Sequence, residues 1–273
     1  YKRQISISPA TFKKQYKYEL PVASAQVKSS ILLAGLAAGT GIEIIEPIQT
    51  RDHTEKMLKH FGANIETSSQ DGKNFIKLAS SNDLHAKNYH VVGDISSAAF
   101  LIVAALISNS SGLEIMNVGV NPSRTGVLQA LQKMGANIEV KNKRLESGEP
   151  CADLLVKKSE LKGVELSGKI IPNIIDEIPI ISIAAAFANG ETLIKDAREL
   201  RVKESDRLRA VSEGFNKLGI MHRNFEDGIS IQGAPNQLLI DQSISIDSYD
   251  DHRIAMSFLI AGLKCSKPIT VKN

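Results

Sequence analysis

Along the chain, small apolar runs alternate with amphipathic ones in a fixed order. Residues 27–38, 97–107 and 179–188 are rich in Ala, Ile, Leu and Val and predict helices buried on more than one face. Gly39, Gly112 and Gly190 follow them, as a residue that stops a helix in the left-handed conformation would. β-branched stretches at 42–45, 113–118 and 192–194 then predict strands. A polar loop leads into a second, amphipathic helix at 54–61, 125–134 and 205–218. In the last of these Leu208, Val211, Phe215 and Leu218 fall on one stripe. Two strands close the unit, as at 65–66 and 75–79.

This order is an internal repeat. Phe61-Gly62-Ala63-Asn64-Ile65-Glu66 recurs as Met134-Gly135-Ala136-Asn137-Ile138-Glu139 and more faintly as Leu218-Gly219-Ile220, with the glycines 73 and 84 residues apart. That period is too long for a solenoid and suits a duplicated subdomain. A fourth unit opens at 251–262 and stops after Val271. Residues 1–18, with an alternating strand at 4–8, read as the tail of a preceding unit. The expected boundary is the extended join at Val92-Gly93, which gives domains 1–92 and 93–273. Starting at Tyr1 and ending mid-repeat, the chain reads as a fragment.

Composition narrows the function. The 273 residues hold 33 Lys+Arg against 30 Asp+Glu, a net charge of +3, with five Tyr, eight Phe and no Trp. Neither a basic tracking surface nor a stacking platform for nucleic acid follows from that. Cys151 and Cys265 stand in no paired or metal-ligand spacing, which fits a reducing compartment. The longest uncharged stretches are too short to span a bilayer, so a soluble, cytoplasmic-type chain of mixed α/β type with one or two domains is expected.

Polar clusters stand at the predicted helix starts. Ser24-Ala25-Gln26-Val27-Lys28-Ser29 offers unpaired N–H groups and a positive dipole end; it reads either as an anion site or as a plain Ser24 N-cap. In Gln49-Thr50-Arg51-Asp52-His53-Thr54-Glu55, Asp52 and Glu55 have the spacing of a capping box, which would leave Arg51 pointing outward. Asn121-Pro122-Ser123-Arg124 takes the same place one repeat on, with Arg124 structural or exposed. Asp176-Glu177 precedes an apolar helix, so Asp176 is either a cap or a base. Seven of the ten residues 198–207 are charged, and they precede a helix rather than lie along it. Asp250-Asp251-His252-Arg253 makes a similar start. Two sets of repeats facing each other would gather Ser24, Gln26, Arg51, Asp176, Lys203, Glu204, Arg207 and Arg253 in one cleft suited to a polyanion.

Four of these motifs, in this order, resemble the 5-enolpyruvylshikimate-3-phosphate synthase family. They are Ser24-Ala25-Gln26-Val27-Lys28-Ser29 with Leu33-Ala34-Gly35-Leu36, then Arg51-Asp52-His53-Thr54-Glu55, then Arg201-Val202-Lys203-Glu204-Ser205-Asp206-Arg207-Leu208, then Asp251-His252-Arg253-Ile254-Ala255-Met256. The resemblance runs through the whole chain. It implies two domains of βαβαββ units with an interdomain cleft, no organic cofactor, no metal, and a monomer. The implied reaction moves the carboxyvinyl group of phosphoenolpyruvate onto the 5-hydroxyl of shikimate 3-phosphate and releases phosphate, a step toward chorismate and the aromatic amino acids.

Carried over by position, the resemblance gives Ser24, Ala25 (through its backbone), Gln26, Arg51, Asp176 and Lys203 to shikimate 3-phosphate. It gives Gln26, Arg207 and Arg253 to phosphoenolpyruvate. Asp176 becomes the proton acceptor for the 5-hydroxyl and Glu204 the acid for the methylene carbon. An alcohol is too weak an acid for a carboxylate to deprotonate outright, so Asp176 must act in concert with C–O bond formation. Glu204 must be protonated while Lys203 and Arg207 oppose this, so the acid is expected to be competent only with both substrates bound. The family's N-terminal Lys-Ser pair, its phosphoenolpyruvate loop and a C-terminal Lys fall outside this chain, which matches the larger, C-terminal part of the pattern without its last stretch. Alternative expectations are transfer to a UDP-sugar, as in UDP-N-acetylglucosamine enolpyruvyl transferases, or an inactive remnant of such an enzyme.

Overall fold

The computed structural model describes residues 8, 11, 13–81, 83–236, 238, 240 and 242–273. The strand expected at 4–8 therefore lies, but for Ser8, outside the described residues. The chain falls into two units. The first comprises residues up to Val91 with Glu146–Glu149; the second comprises Val92–Leu145 and Pro150–Asn273.

Unit 1 runs β1 (Gln15–Glu19), α1 (Ala25–Ala38), β2 (Gly41–Glu46), α2 (His53–His60), β3 (Ile65–Gln70) and β4 (Lys73–Leu78). The sheet order is β1-β2-β4-β3, with β1 parallel to β2 and the other pairs antiparallel. Leu32 of α1 and Leu58 of α2 pack on Ile42, Ile44, Ile65, Ile76 and Leu78 of the sheet. Gly35 lets α1 approach β2, because a Cβ there would overlap the Ile42 side chain. Yet α1 leaves Val27 and Leu33 exposed.

Unit 2 runs α3 (Ile95–Ile107), β5 (Leu113–Gly119), α4 (Gly126–Lys133), β6 (Asn137–Glu146), β7 (Glu149–Lys157), β8 (Glu165–Leu166), α5 (Ile171–Ile174), α6 (Ile178–Ala186), β9 (Gly190–Ile194), α7 (Arg207–Leu218), β10 (His222–Phe225), β11 (Gly228–Gly233), β12 (Ile244–Asp247), α8 (His252–Ala261) and β13 (Ile269–Lys272). Its sheets repeat the topology of unit 1. The order β8-β9-β11-β10 again opens on a parallel pair. In β5-β7-β6 the place of the parallel first strand is taken by a single bridge from Gly93 to Val118. A further parallel pair, β12 and β13, opens the next round. The repeat read from three short glycine motifs is thus a repeat of α/β architecture.

The core of unit 2 lies where α3, α6 and α8 meet one another. All nine residues of α6 are buried. Gly214 of α7 sits on the ring of Phe258 of α8, where any Cβ would overlap it.

Three local expectations need correction. Only Gly39 caps its helix, at φ +61° with its N–H on the α1 carbonyls. Helices α3 and α6 end earlier, at Ile107 and Ala186, and Gly112 and Gly190 turn the chain into the next strand at φ +133° and +90°. The capping box at α2 does not form, since Asp52 makes no side-chain cap bond and Glu55 is drawn inward by Lys28. Likewise α7 starts at Arg207 rather than Ser205, because Asp206 accepts from the Arg209 N–H and so occupies the cap.

Candidate functional site

In unit 2 the charged motifs converge on one guanidinium. Arg207, the first residue of α7, is 1% exposed. Its Nε donates to Asp251 Oδ2 at 2.8 Å, its Nη2 to Glu204 Oε2 at 2.5 Å, and its Nη1 to Asp176 Oδ1 at 3.3 Å. A planar fork with five N–H donors can serve three carboxylates at once, which an ammonium could not do with comparable directionality. Lys203 Nζ lies 3.7 Å from the same Asp176 oxygen. Arg253 donates from Nη1 to the Asp176 carbonyl at 3.0 Å and pairs with Glu177 at 3.5 Å. Asp176, Lys203, Glu204, Arg207 and Arg253 are therefore neighbours, although they come from three separate stretches of sequence.

Asp251 is the residue that sequence reasoning passed over. It is fully buried. One oxygen accepts from the Arg253 N–H at 2.9 Å and so caps α8; the other accepts from Arg207 and from the Ser205 hydroxyl at 3.1 Å. Burial pushes its carboxyl up, but Arg207, the Arg253 N–H and Ser205 outweigh burial and hold it below the ordinary 3.8. The chain enters this cap through Tyr249 and Asp250, both at φ +57°, a conformation costly for residues with a side chain. Its signal in the sequence was the acidic pair before His252, whose weight depends on a burial that the sequence does not show.

Asp176 does not cap α6; that place falls to Glu177, which makes no side-chain cap bond either. Glu177 is buried. Burial pushes its carboxyl up, against the pull of Ser96, Arg124 and Arg253. Glu204 keeps 54% of its side chain in solvent while paired to Arg207. Elsewhere in the 198–207 run Arg201 is structural: it donates to the carbonyls of Phe225 and Glu226 at 2.6 Å and to Asp206, which ties the loop to the β10–β11 turn. His252 is exposed.

In unit 1, Ser24 caps α1, accepting from the Val27 N–H at 3.3 Å, and no acidic residue stands in that first turn. Gln26 is exposed, and Ser24, Ala25 and Arg51 are half-buried. Arg51 lies in the loop between β2 and α2. Lys28, one turn into α1, is 1% exposed; its Nζ reaches Glu55 Oε1 at 2.6 Å and Glu46 Oε1 at 3.1 Å. Among the described residues, Glu55 Oε2 has no hydrogen-bond partner. Burial pushes the Glu55 carboxyl above its ordinary 4.5 despite Lys28, with the Glu46 charge adding to the rise. A cleft of about 710 Å³ in this unit is lined by Thr50, Lys56, Lys59 and Lys77 over Lys28, Glu46 and Glu55. Ser24, Gln26 and Arg51 are not among its lining.

Arg124 is structural. It donates to Asp94 at 2.7 Å and to Ser96 at 2.6 Å, and so braces the start of α3. Among the described residues no helix is long and apolar enough to cross a membrane.

Comparison with known proteins agrees along the whole chain. The family model for EPSP synthase (3-phosphoshikimate 1-carboxyvinyltransferase) matches residues 2–273. The 3-phosphoshikimate 1-carboxyvinyltransferase of Petrotoga mobilis is 52% identical over 94% of this chain, and that of Geobacter sulfurreducens 47% identical over 94%. An EPSP synthase structure from Acinetobacter baumannii superposes with a TM-score of 0.86 at 45% identity, over 94% of this chain and 58% of its own. The enolpyruvyl transferase NikO from Streptomyces tendae shares the fold at a TM-score of 0.69 and 18% identity, over 90% of this chain and 55% of its own. The chain spans 58% of the length of both curated relatives. With α/β repeats, four motifs and these likenesses in agreement, the chain belongs to the EPSP synthase (3-phosphoshikimate 1-carboxyvinyltransferase) family.

Proposed function

We propose that this chain serves the transfer of the carboxyvinyl group of phosphoenolpyruvate to the 5-hydroxyl of shikimate 3-phosphate. The observation that carries the reading is the cluster in which Arg207, buried, reaches Asp176, Glu204 and Asp251 while Lys203 and Arg253 meet Asp176. Two anionic reactants repel each other, and fixed cations that hold them side by side lower that barrier by positioning and by electrostatics.

Arg207 and Arg253 grip phosphoenolpyruvate, with Gln26 of unit 1 as a further contact. Ser24, the Ala25 N–H, Gln26 and Arg51 take up shikimate 3-phosphate, and Lys203 hydrogen-bonds its ring. The 5-oxygen attacks C2 of phosphoenolpyruvate as Asp176 accepts the hydroxyl proton, and Glu204 gives a proton to C3. Loss of a C3 proton and of inorganic phosphate from the tetrahedral adduct then restores the vinyl group, so atoms balance. The exposure of Glu204 supports its role. An incoming carboxylate can take its place on Arg207 and release Glu204 toward the substrate. The reaction takes place in the cytoplasm on a monomer, with domains at 1–92 and 93–273.

Titration calorimetry tests the reading. Shikimate 3-phosphate should bind the chain saturably and Gln26→Ala should weaken it, whereas UDP-N-acetylglucosamine should give no heat of binding. Binding of the UDP-sugar with none of shikimate 3-phosphate would overturn it. Complemented with the remainder of the family sequence, the chain should release phosphate from the two substrates, and Glu204→Gln should abolish that release.

A further inference from the structure

Lys28 has no role in the reaction described above, yet it is among the most deeply buried side chains of unit 1. Its surroundings are poor for stability. One ammonium faces two carboxylates, and one oxygen of Glu55 finds no partner among the described residues. Buried ion pairs rarely outperform apolar residues of the same volume, so the arrangement calls for a reason other than holding the fold.

The connections supply one. Lys28 lies four residues after Ser24 and projects from the same α1 start that carries Ala25 and Gln26. Glu46 ends β2, where the loop to Arg51 begins, and Thr50, next to Arg51, donates to the same Glu46 Oε1 at 2.5 Å. Glu55 lies one turn beyond Arg51 in α2. A second tie joins the same helices, Ser29 Oγ to Thr54 Oγ1 at 2.6 Å. Arg51 is thus bracketed by Thr50 and Glu55, and both brackets lead back through Lys28 to the first turn of α1. The raised Glu55 carboxyl agrees with a cluster kept for geometry rather than for charge balance.

We infer that Lys28, with Glu46 and Glu55, is a positioning residue that sets the spacing between the N-terminus of α1 and Arg51, so that both engage the phosphate of shikimate 3-phosphate. This rests on the ligand assignment proposed above. Ammonium-to-carboxylate contacts fix distance without contacting the ligand, and a small error in that distance is enough to lose one of two phosphate contacts.

The test is shikimate 3-phosphate binding to the full chain, followed by calorimetry and by the ³¹P resonance of the bound phosphate. Lys28→Met should weaken binding about tenfold, the range of one charge-assisted contact, and move the bound ³¹P resonance toward that of the free ligand. Thr50→Val, which removes one bracket and leaves Lys28 in place, should do the same to a smaller extent; it decides the matter if Lys28→Met does not fold. Lower melting temperature with unchanged affinity and unchanged ³¹P shift would mean a purely structural role and overturns the inference. If the unmodified chain binds no shikimate 3-phosphate, the ligand assignment itself fails; if it binds and both variants bind alike, only the positioning role fails.

Discussion

Helices α1 and α3 are the same element in successive repeats, yet their first turns are finished differently. Asp94 caps α3, accepting from the N–H groups of Ser96 and Ser97, and its charge is met by Arg124. Ser24 caps α1 with a neutral hydroxyl, and no acidic residue stands in the first turn. Helix α8 follows α3: its cap, Asp251, holds Arg207 in full burial. Where the cap is an aspartate, the positive end of the dipole is satisfied from within the chain and a nearby arginine is anchored to the cap. Where it is a serine, the helix end keeps its capacity for an outside anion. One repeat therefore yields closed and receptive helix starts by exchange of a single cap.

Substitutions can break or sharpen this contrast. The largest effect is expected from Asp251→Ala, which strands a buried guanidinium; unfolding in urea should show a loss of about 3–5 kcal/mol. Next comes Ser24→Asp, which gives α1 the closed start of α3. It should weaken shikimate 3-phosphate binding about a hundredfold, close to 2.7 kcal/mol, while the melting temperature holds or rises. The reciprocal change, Asp94→Ser, keeps a competent cap but removes the Arg124 pair, for about 1 kcal/mol of stability.

Acid titration should separate the two kinds of carboxylate. Burial raises the Asp94 carboxyl, but Ser97, Arg124 and Ser96 outweigh it and hold the group below 3.8. The stability Asp94 contributes is thus present above that value and lost as pH falls through its folded pKa; in Asp94→Ser that part of the acid loss should vanish. Glu55 has the opposite sign. Its folded pKa lies above 4.5, so the folded state holds the proton more tightly and stability drops as pH rises through that range. Glu55→Gln should then gain on the order of 1 kcal/mol at neutral pH, and the gain should disappear in acid. A gain that persisted at low pH would show that charge is not its source.

Much of the architecture was legible because periodicity and glycine motifs report on backbone geometry directly. The amphipathic stripe of α7 and the strand pairs that close each repeat stood where the pattern put them. Gly112 and Gly190 misled because a positive φ serves a strand entry as well as a helix stop. The site was legible as motifs but not as partners. Asp52 and Glu55 have the spacing of a capping box, and nothing local reveals that Lys28, 27 residues before Glu55, will claim the glutamate. Asp251 was hidden for the same reason, since its weight comes from Arg207, 44 residues away. The run at 198–207 gave its charges as a group, and only the β10–β11 turn separates Arg201, which braces it, from Arg207.

The glycine at 214 has a reach beyond its own turn. With the backbone of α7 resting on the Phe258 ring, the two helices that begin at Arg207 and at the Asp251 cap leave no room there for a side chain between them. A single methyl group placed there would act as a shim, prising apart the guanidinium and its buried counter-ion from seven residues along the helix. The spacing of Arg207 and Asp251 is therefore open to adjustment by substitutions that no inspection of the charged residues would bring to notice.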